Sequence, residues 1–446
     1  MFPRLPAIDF YQYWGVSAIR RLSDYTLGSP YRNARAYYAS MADQAVHSDQ
    51  PKLQAVHELM TTPGFTATPL LYMLFGAFPA NYTRAVALFQ TLQVILFLAG
   101  VFLLGMVYRY QAFPLFCLAV LLLLGSGPVF ADLRVGNVGC FQFAALAVLL
   151  ALADRLERSP RATVLGCVVL TGLVLLVLAK PNVALVAPVM AVHLWRARGG
   201  RFLAIAAVPA ALLGAAAGVS TCLYFQSWTV WHDWYTYIYG HNPRAMVGIP
   251  TIRGNYSTSR LLARWLHTDV WIVGAVLAAA LGVSAIAVIA PTITARGGPY
   301  AMLRAALERV LGNARLAMAI GITLTIALPP LVWFHYEVIA LVPGLWLLNA
   351  TLGSSYVPLS GLAALVLSSG LLNVVLLPLG WRDAAEVAVT FSWIPLWAGI
   401  LLQIATASAE EPRAAVQPSS PNRDDRRTAE AQMAQRPRRP RTSPRG

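Results

Sequence analysis

The chain has 446 residues, of which 57% are hydrophobic and only 12% are charged, and its mean hydropathy is +0.58. A soluble domain carries charges at roughly a quarter of its positions, and so apolar a chain must bury itself in protein or lipid. An ordinary soluble domain and a mainly disordered chain are both excluded. The formal net charge is +15, but the basic residues lie between apolar runs and in the C-terminal tail, which argues against nucleic acid as a partner.

The apolar runs predict an all-α polytopic membrane protein, because a helix needs about 20 apolar residues to cross a bilayer. Residues 1–81 contain no such run and no signal-peptide pattern, and we expect an outer-side loop region with short interfacial helices. Residues 82–407 form the predicted membrane domain, and residues 408–446 a disordered, basic cytoplasmic tail. About 11 spans are expected, at 82–107, 112–130, 137–153, 163–179, 182–195, 202–225, 270–290, 316–334, 338–350, 357–378 and 387–407.

Arginine follows every second predicted span, and this pattern sets the expected orientation. Arg109 and the arginine groups around Arg155, Arg196 and Arg304 fall on the same side as the tail, so that side is predicted to be cytoplasmic. The N-terminal region then lies outside without a helix to lead it across. We therefore expect a further helix before Met1, which would give twelve spans with both termini cytoplasmic.

The sequence lacks the motifs of nucleotide-driven chemistry. No P-loop, no Gly-x-Gly-x-x-Gly after a strand and no Gly-x-Ser-x-Gly elbow is present. The four cysteines, Cys117, Cys140, Cys167 and Cys222, lie in apolar segments without a Cys-x-x-Cys, so we expect small buried hydrophobes and no metal site. Any reaction at the outer face needs a substrate that arrives already activated, such as a group linked to a lipid phosphate.

Asp9 opens the aromatic sequence DFYQYW and is the first candidate for chemistry. Residues 8–22 can form a helix lying in the membrane interface, on which Asp9 and Tyr13 share a face. The side chains expected to face lipid are those of Phe10, Trp14 and Ile19. A carboxylate in such a place could act as a general base. Asp9 could instead be a helix N-cap beside anchoring aromatics, which from these residues alone is the commoner explanation.

Two outer-side turns carry candidate phosphate ligands. In the sequence DLRVGNVG, Gly136 and Gly139 permit a tight turn, so Arg134 and Asn137 could bind phosphate or sugar hydroxyls. The alternative is a solvated turn with a pair between Asp132 and Arg134. Lys180, one of two lysines in the chain, stands before a helix-breaking proline and could bind phosphate or simply snorkel to the interface.

Two further outer segments combine aromatic and polar residues. The 226–269 loop holds a cluster of Trp and Tyr that could stack on sugar rings or form an interfacial belt. Later in the same loop come Arg253, Asn255 and Ser257, which could contact a sugar. His335, Tyr336 and Glu337 lie between two apolar runs, either in a substrate pocket or in a short hydrogen-bonded turn.

Taken in order, these segments resemble the GT-C superfamily of polyprenyl-phosphate-dependent glycosyltransferases, and most nearly glycosyltransferase family 87, the mannosyl- and arabinofuranosyltransferase type. The quoted segments are DFYQYW with Asp9, TPLLY with Thr68, GNVG with Asn137, Lys180-Pro181, GNYS with Asn255, and His335-Tyr336. The family tends to have Gly-Gln-x-Asn where this chain has GNVG. The leading helix of the family is absent before Asp9.

The resemblance implies a GT-C-like helical bundle whose active site faces the periplasm of a bacterial plasma membrane. Asp9 would be the general base, and Lys180, Arg134, Arg253 and His335 would stabilise the leaving phosphate. The residues implied in sugar binding are Tyr13, Asn137, Asn255, Ser257 and Tyr336. The partners would be a polyprenyl-phosphate sugar, a lipid or glycan acceptor and membrane lipids, with no metal or cofactor.

Two other functional classes compete with this one. A transporter or flippase of lipid-linked saccharides would also carry a dozen spans, but would place charges within them and repeat its halves. An O-antigen ligase or polymerase would concentrate its cations in one large periplasmic loop. Here the polar residues collect at one face, which favours the transferase.

Overall fold

A computed structural model describes residues 7–22, 27–59, 65–156, 159, 161–240, 256–290, 310–330, 332–350, 356–371, 379–380 and 382–416. These residues form helices and turns without a β-strand. The α-helices are α1 Ile8–Leu22, α2 Ala34–Val46, α3 Pro51–Leu59, α4 Pro69–Phe75, α5 Tyr82–Tyr108, α6 Ala112–Gly125, α7 Gly127–Val135, α8 Gly139–Leu156, α9 Ala162–Ala179, α10 Val186–Arg198, α11 Gly200–Phe225, α12 Val230–Tyr235, α13 Thr258–Trp265, α14 Val270–Ile289, α15 Ala314–Ala327, α16 Leu341–Leu348, α17 Tyr356–Ser368, α18 Arg382–Thr390 and α19 Trp393–Val416. Short 3-10 helices occupy Pro181–Val183 and Phe334–Ala340.

Six helices of the described chain are long and apolar enough to cross a membrane, so the protein is a multi-pass membrane protein. They are Tyr82–Tyr108, Gly139–Leu156, Ala162–Ala179, Gly200–Phe225, Val270–Val288 and Val387–Thr406. The pair α6 and α7 makes a seventh if it is one span, but it bends by 56°. Three shorter apolar helices accompany them, so the expected count of about 11 full spans is not reached among the described residues.

The bend between α6 and α7 divides the predicted span 112–130. Ser126 stands at the break, and its hydroxyl accepts a hydrogen bond from the backbone N–H of Val129, which caps the new helix. The N–H of Gly127 donates to the carbonyl of Ser369 at 2.7 Å. The chain therefore changes direction at Ser126, and the turn that follows α7 is buried inside the helix bundle.

The N-terminal helices α1 to α4 form a packed unit, which corrects the expectation that α1 lies against lipid. Phe10, Trp14 and Ile19 are 0%, 2% and 1% exposed and belong to a core shared with α5, α11 and α12. The ring of Phe10 meets the rings of Phe75 and Phe89 at 5.5 and 5.0 Å. Aromatic rings on several faces of α1 find protein partners, so burial in protein replaces burial in lipid.

Side chains of α1 also fasten it to neighbouring backbone. Trp14 donates from Nε1 to the carbonyl of Pro79 at 2.8 Å, Ser17 donates to the carbonyl of Tyr72, and Arg21 donates to that of Gly76 at 2.9 Å. These bonds satisfy carbonyls at the end of α4 and after it. The start of α1, which carries Asp9, is thereby held on a rigid support.

The expected tail at 408–446 lies mostly outside the described residues, which end with the helix that runs to Val416. One smaller expectation does change. Cys140 and Cys222 are buried as expected, but Cys117 is exposed on α6 and Cys167 is partly exposed on α9. An exposed cysteine on an apolar helix surface is compatible with a lipid-facing position.

Candidate functional site

Residues from four distant parts of the sequence meet in one cluster. They are Asp9 and Tyr13 on α1, Asn137 in the turn between α7 and α8, Lys180 after α9, and His335 and Tyr336 in the 3-10 helix. All were predicted as site residues. Tyr13, Asn137, Lys180 and His335 are buried, whereas Asp9 and Tyr336 are half-buried.

Asn137 lies at the centre of this cluster. Its amide nitrogen donates to Asp9 Oδ2 at 2.5 Å and to His335 Nε2 at 2.8 Å. Its amide oxygen accepts from Lys180 Nζ at 2.9 Å and from the N–H of Val138 at 2.7 Å. The Lys180 ammonium and the Val138 N–H can only donate, so the orientation of the amide is fixed.

This orientation determines the state of His335. An Asn137 N–H that points at Nε2 requires a lone pair there, so the imidazole is neutral with its proton on Nδ1. A neutral imidazole does not fit the role of cation that the sequence suggested for His335. It is a second acceptor beside Asp9.

Lys180 owes its place to the end of α9. Pro181 has no N–H and ends the helix, and the Thr68 hydroxyl donates to the carbonyl of Ala179 at 2.8 Å. The ammonium also donates to the Tyr13 hydroxyl at 3.3 Å. It lies 5.7 Å from the ring centre of Tyr13 and 5.3 Å from that of Tyr336, within cation–π range.

The electrostatics of the cluster favour a basic carboxylate and a labile ammonium. Burial raises the pKa of Asp9, and this rise is limited by the charge of Lys180 and by the hydrogen bond from Asn137. Burial lowers the pKa of Lys180 to about 8, against the opposing charges of Asp9 and Asp132. Near pH 7 the lysine is therefore still mostly charged. The Asn137 amide lies between its ammonium and the Asp9 carboxylate.

Asp132 is a residue of the site that sequence reasoning missed. It is fully buried and accepts hydrogen bonds from the N–H groups of Gly139 at 2.9 Å and Cys140 at 2.8 Å, so it caps α8. The alternative of a solvated pair with Arg134 does not hold, because Arg134 is exposed and Asp132 faces inward. The available signal was a carboxylate seven residues before the start of an apolar helix, with Gly136 between them.

The turn that Asp132 supports behaves as its glycines predicted. Gly136 takes a φ of +69°, a left-handed conformation that favours glycine. A Cβ at Gly136 would lie 2.6 Å from the Cβ of Phe10, so α1 approaches the turn closely. That approach brings Asp9 within reach of Asn137.

The remaining predicted residues do not join the cluster within the described chain. Ser257 caps α13 and donates to the carbonyl of Pro329 at 2.6 Å, which is a structural role. Arg253 and Asn255 lie outside the described residues. Glu337 is buried and accepts from the Ser392 hydroxyl at 3.1 Å, away from the Asn137 bonds that hold His335.

The aromatic part of the 226–269 loop packs against α11 and against the segment before α4. Trp231 donates to the Thr221 hydroxyl at 2.7 Å and Trp234 to the carbonyl of Thr66 at 3.4 Å. Trp228 is 73% exposed just past the end of α11, where an interfacial tryptophan is expected. These positions favour the belt over a sugar platform.

Comparisons with protein-family models, with curated proteins and with solved structures find no match for this chain. Among the described residues, no group of three or more His, Cys, Asp and Glu side chains is arranged to hold a metal ion. The grounds for a function are thus the geometry of the cluster and the resemblance of the sequence.

Proposed function

We propose that this chain is a GT-C-type glycosyltransferase that moves a sugar from a polyprenyl-phosphate donor to a lipid or glycan acceptor. The observation that carries the proposal is the placement of Asp9 and Lys180 on opposite ends of the Asn137 amide. A base and a cation are held close together in a desolvated site without neutralising each other in a direct ion pair. Transfer from a phosphate leaving group needs both.

Asp9 is the general base in the proposed reaction. It takes the proton of an acceptor hydroxyl while that oxygen attacks the anomeric carbon from the side opposite the phosphate. The bond from the anomeric carbon to the phosphate oxygen breaks, so the sugar is inverted and polyprenyl phosphate leaves with the bonding electrons. A desolvated carboxylate is a stronger base than one in water, which suits this step.

Lys180 stabilises the leaving phosphate in this reaction. Its ammonium stands at the end of the apolar helix α9, the level at which a lipid phosphate lies when its chain is in the membrane. The rings of Tyr13 and Tyr336 orient the ammonium without removing its charge. The His335 lone pair beside Asp9 offers a second acceptor for a hydroxyl of the acceptor or the sugar.

Charge balance gives a reason to keep Arg253 as a candidate. Within the described part of the cluster, Lys180 is the one cation facing Asp9 and Asp132. The positive end of α8 offsets the charge of Asp132, but an incoming phosphodiester adds another negative charge. Arg253 stands in the part of the chain outside the described residues and is proposed as the second cation.

The same proposal places the site at the outer face of a bacterial plasma membrane. The arginine pattern supports that orientation, since the cluster lies opposite the ends of α8 and α10, where Arg155, Arg196 and Arg198 are found. A GT-C-like bundle would then present Asp9 on outer-side helices above the spans. Envelope lipids and glycans are the acceptors available on that side.

The test compares cells that lack the protein with cells complemented by wild type, Asp9→Asn or Asp43→Asn. Asp43 is the matched control, because it is a carboxylate on the same N-terminal unit and its side chain is 75% exposed. Mass profiles of envelope glycolipids and glycans are recorded at equal membrane levels of each protein. We expect wild type and Asp43→Asn to restore a missing sugar, and Asp9→Asn to leave it missing.

A second measurement follows the reaction directly. Purified protein in vesicles receives labelled polyprenyl-phosphate mannose or arabinose with an extract of the deficient envelope as acceptor, and released polyprenyl phosphate is measured. Full complementation by Asp9→Asn would overturn the general-base assignment. Movement of a lipid-linked saccharide across the vesicle membrane without its cleavage would instead identify a transporter.

A further inference from the structure

A glutamine inside the membrane helix α5 is bound to the turn that carries the cluster. Gln93 is fully buried in this span, and the residues after it, from Val94 to Tyr108, carry no amide or charged side chain. Its amide nitrogen lies 2.7 Å from the carbonyl of Asn137, 3.1 Å from Asp132 Oδ2 and 3.2 Å from the carbonyl of Asp132. One side chain thus contacts both the residue that bridges Asp9 to Lys180 and the carboxylate that caps α8.

The orientation of this amide is as firmly set as that of Asn137. All three neighbours of its nitrogen are acceptors, so the nitrogen and not the oxygen must face them. The Gln93 oxygen is buried without a hydrogen-bond partner. Leaving a buried acceptor unsatisfied costs stability, and the three bonds of the amide nitrogen to buried acceptors offset that cost.

Asp132 connects Gln93 to the start of α8 through hydrogen bonds. Its two carboxylate oxygens accept the N–H groups of Gly139 and Cys140 and the amide of Gln93. Residues 136–138 are therefore tied at both ends, before the turn through the Asp132 carbonyl and after it through the first N–H groups of α8. The Asn137 side chain has little freedom to leave Asp9.

We infer that Gln93 and Asp132 are positioning residues for the Asp9 site, and that they act by holding the Asn137 amide against the Asp9 carboxylate. Neither side chain is described in contact with Asp9. The inference rests on the proposed role of Asp9, but it predicts a property of the Asp9 carboxyl that is measured without turnover. Loss of Gln93 loosens the turn, lengthens the Asn137 bond to Asp9 and leaves the carboxylate less stabilised.

The sign of the effect follows from the groups that face Asp9. Tyr13 on α1, Tyr72 on α4, Lys180 after α9 and His335 surround it, with Asn137 as a direct donor. The Asn137 bond favours the ionised carboxyl and so lowers its pKa. Weakening that bond raises the pH at which Asp9 loses its proton, by about 1 pH unit for loss of one hydrogen bond to a charged group.

The experiment measures protonated Asp9 by its reaction with dicyclohexylcarbodiimide across a pH series. Membranes holding the full chain are labelled, and the adduct on the Asp9 peptide is quantified by mass spectrometry. The variants are Gln93→Met, Gln93→Asn, Asp132→Asn and Asn137→Ala. Gln90→Met is the matched control, because Gln90 lies one turn earlier on α5 and donates at 3.1 Å to the carbonyl of Leu133, but not to Asp132 or Asn137.

We expect the labelling midpoint of Asp9 to rise by about 1 pH unit in Asn137→Ala and by a similar amount in Gln93→Met, and to stay unchanged in Gln90→Met. Gln93→Asn keeps an amide but shortens its reach, so it tests position if Gln93→Met does not reach the membrane. An unshifted midpoint in both Gln93 variants, or an equal shift in Gln90→Met, would overturn the inference.

Turnover separates this inference from the proposed function. If wild type cleaves the donor and Gln93→Met lowers kcat while Gln90→Met does not, both stand. If wild type cleaves no donor but the labelling shift appears, the proposed function fails and the positioning role stands.

Discussion

The side-chain amide of Asn137 donates to the carboxylate of Asp9 across a separation of 128 residues, at 2.5 Å. The bond joins the first turn of α1 to the turn between α7 and α8, and it lies at the end of a membrane span. A carboxylate in that place is costly unless it is hydrogen-bonded. The contact therefore gives Asp9 a partner that stabilises its charge.

Replacing Asn137 by Asp tests this contact with almost no change in shape. The new carboxyl group lies against Asp9, so the two either repel each other or share one proton. In both cases Asp9 loses its amide donor, and any negative charge at position 137 lies beside Lys180. We expect kcat to fall by about 100-fold or more, as for loss of general-base catalysis, and the KM for the donor to rise because Lys180 is partly neutralised. Donor cleavage by the purified variant at several donor concentrations measures both; an unchanged KM would argue against phosphate binding by Lys180.

The pH dependence expected of the proposed reaction follows from Asp9 and Lys180. The base must be deprotonated, and the raised pKa of Asp9 places the acid limb above its ordinary value of 3.8. The cation must be protonated, and the pKa of Lys180 at about 8 places loss of activity as pH rises through that value. We expect a bell-shaped kcat/KM profile whose alkaline limb lies near pH 8.

Lys180→Arg separates this alkaline limb from other groups. Arginine stays charged throughout, so its rate should not fall as the pH rises through 8. The variant should still be less active at pH 7, because a planar guanidinium replaces the compact ammonium that donates to both Asn137 Oδ1 and the Tyr13 hydroxyl. Rates from pH 5 to pH 10 show this directly. A limb that persists in Lys180→Arg belongs to another group.

Gly139→Ala is expected to damage the site from the backbone side. A Cβ at Gly139 would lie 2.6 Å from Asp132 Oδ1 and 3.0 Å from the carbonyl of His335, so one of them must move. Gly218→Ala on α11 is the control, since nothing lies within 4 Å of its Cβ, and alanine should stabilise that helix by about 0.5–1 kcal/mol. Thermal unfolding and donor cleavage of both variants are compared, and equal behaviour would show that the Gly139 contact is relaxed at little cost.

The helical, multi-pass character of the chain was predictable from sequence, because long apolar runs indicate spans. The number of spans was not, since about 11 were expected and six, or seven with the bent pair, are found among the described residues. The helix at residues 8–22 was predicted with the bounds that the structure has. Its environment was not, since aromatic residues suit both a membrane interface and a protein core. Only the positions of α4 and α5 show that Phe10 faces protein.

The residues of the candidate site could be predicted from the sequence better than the hydrogen bonds between them. Asp9, Asn137, Lys180 and His335 stand out because polar side chains beside membrane spans are unusual. Gln93 and Asp132 did not, because a glutamine near the start of an apolar helix and an aspartate beside an arginine have ordinary explanations. Their roles depend on contacts between α5, α7 and α8 that no local pattern encodes.

Phe10→Ala tests whether α1 belongs to the protein core. Phe10 is fully buried among Phe75, Phe78, Tyr82 and Phe89, and truncating such a residue costs about 3–5 kcal/mol. Phe113→Ala on α6 is the control, because Phe113 is 76% exposed on an apolar helix surface where lipid can fill the vacated space. We expect Phe10→Ala to lower the unfolding temperature in detergent strongly and to reduce donor cleavage, since Asp9 sits one residue away, whereas Phe113→Ala should change neither. Equal stability of the two variants would mean that Phe10 faces lipid after all, and that α1 reaches the Asn137 turn only loosely.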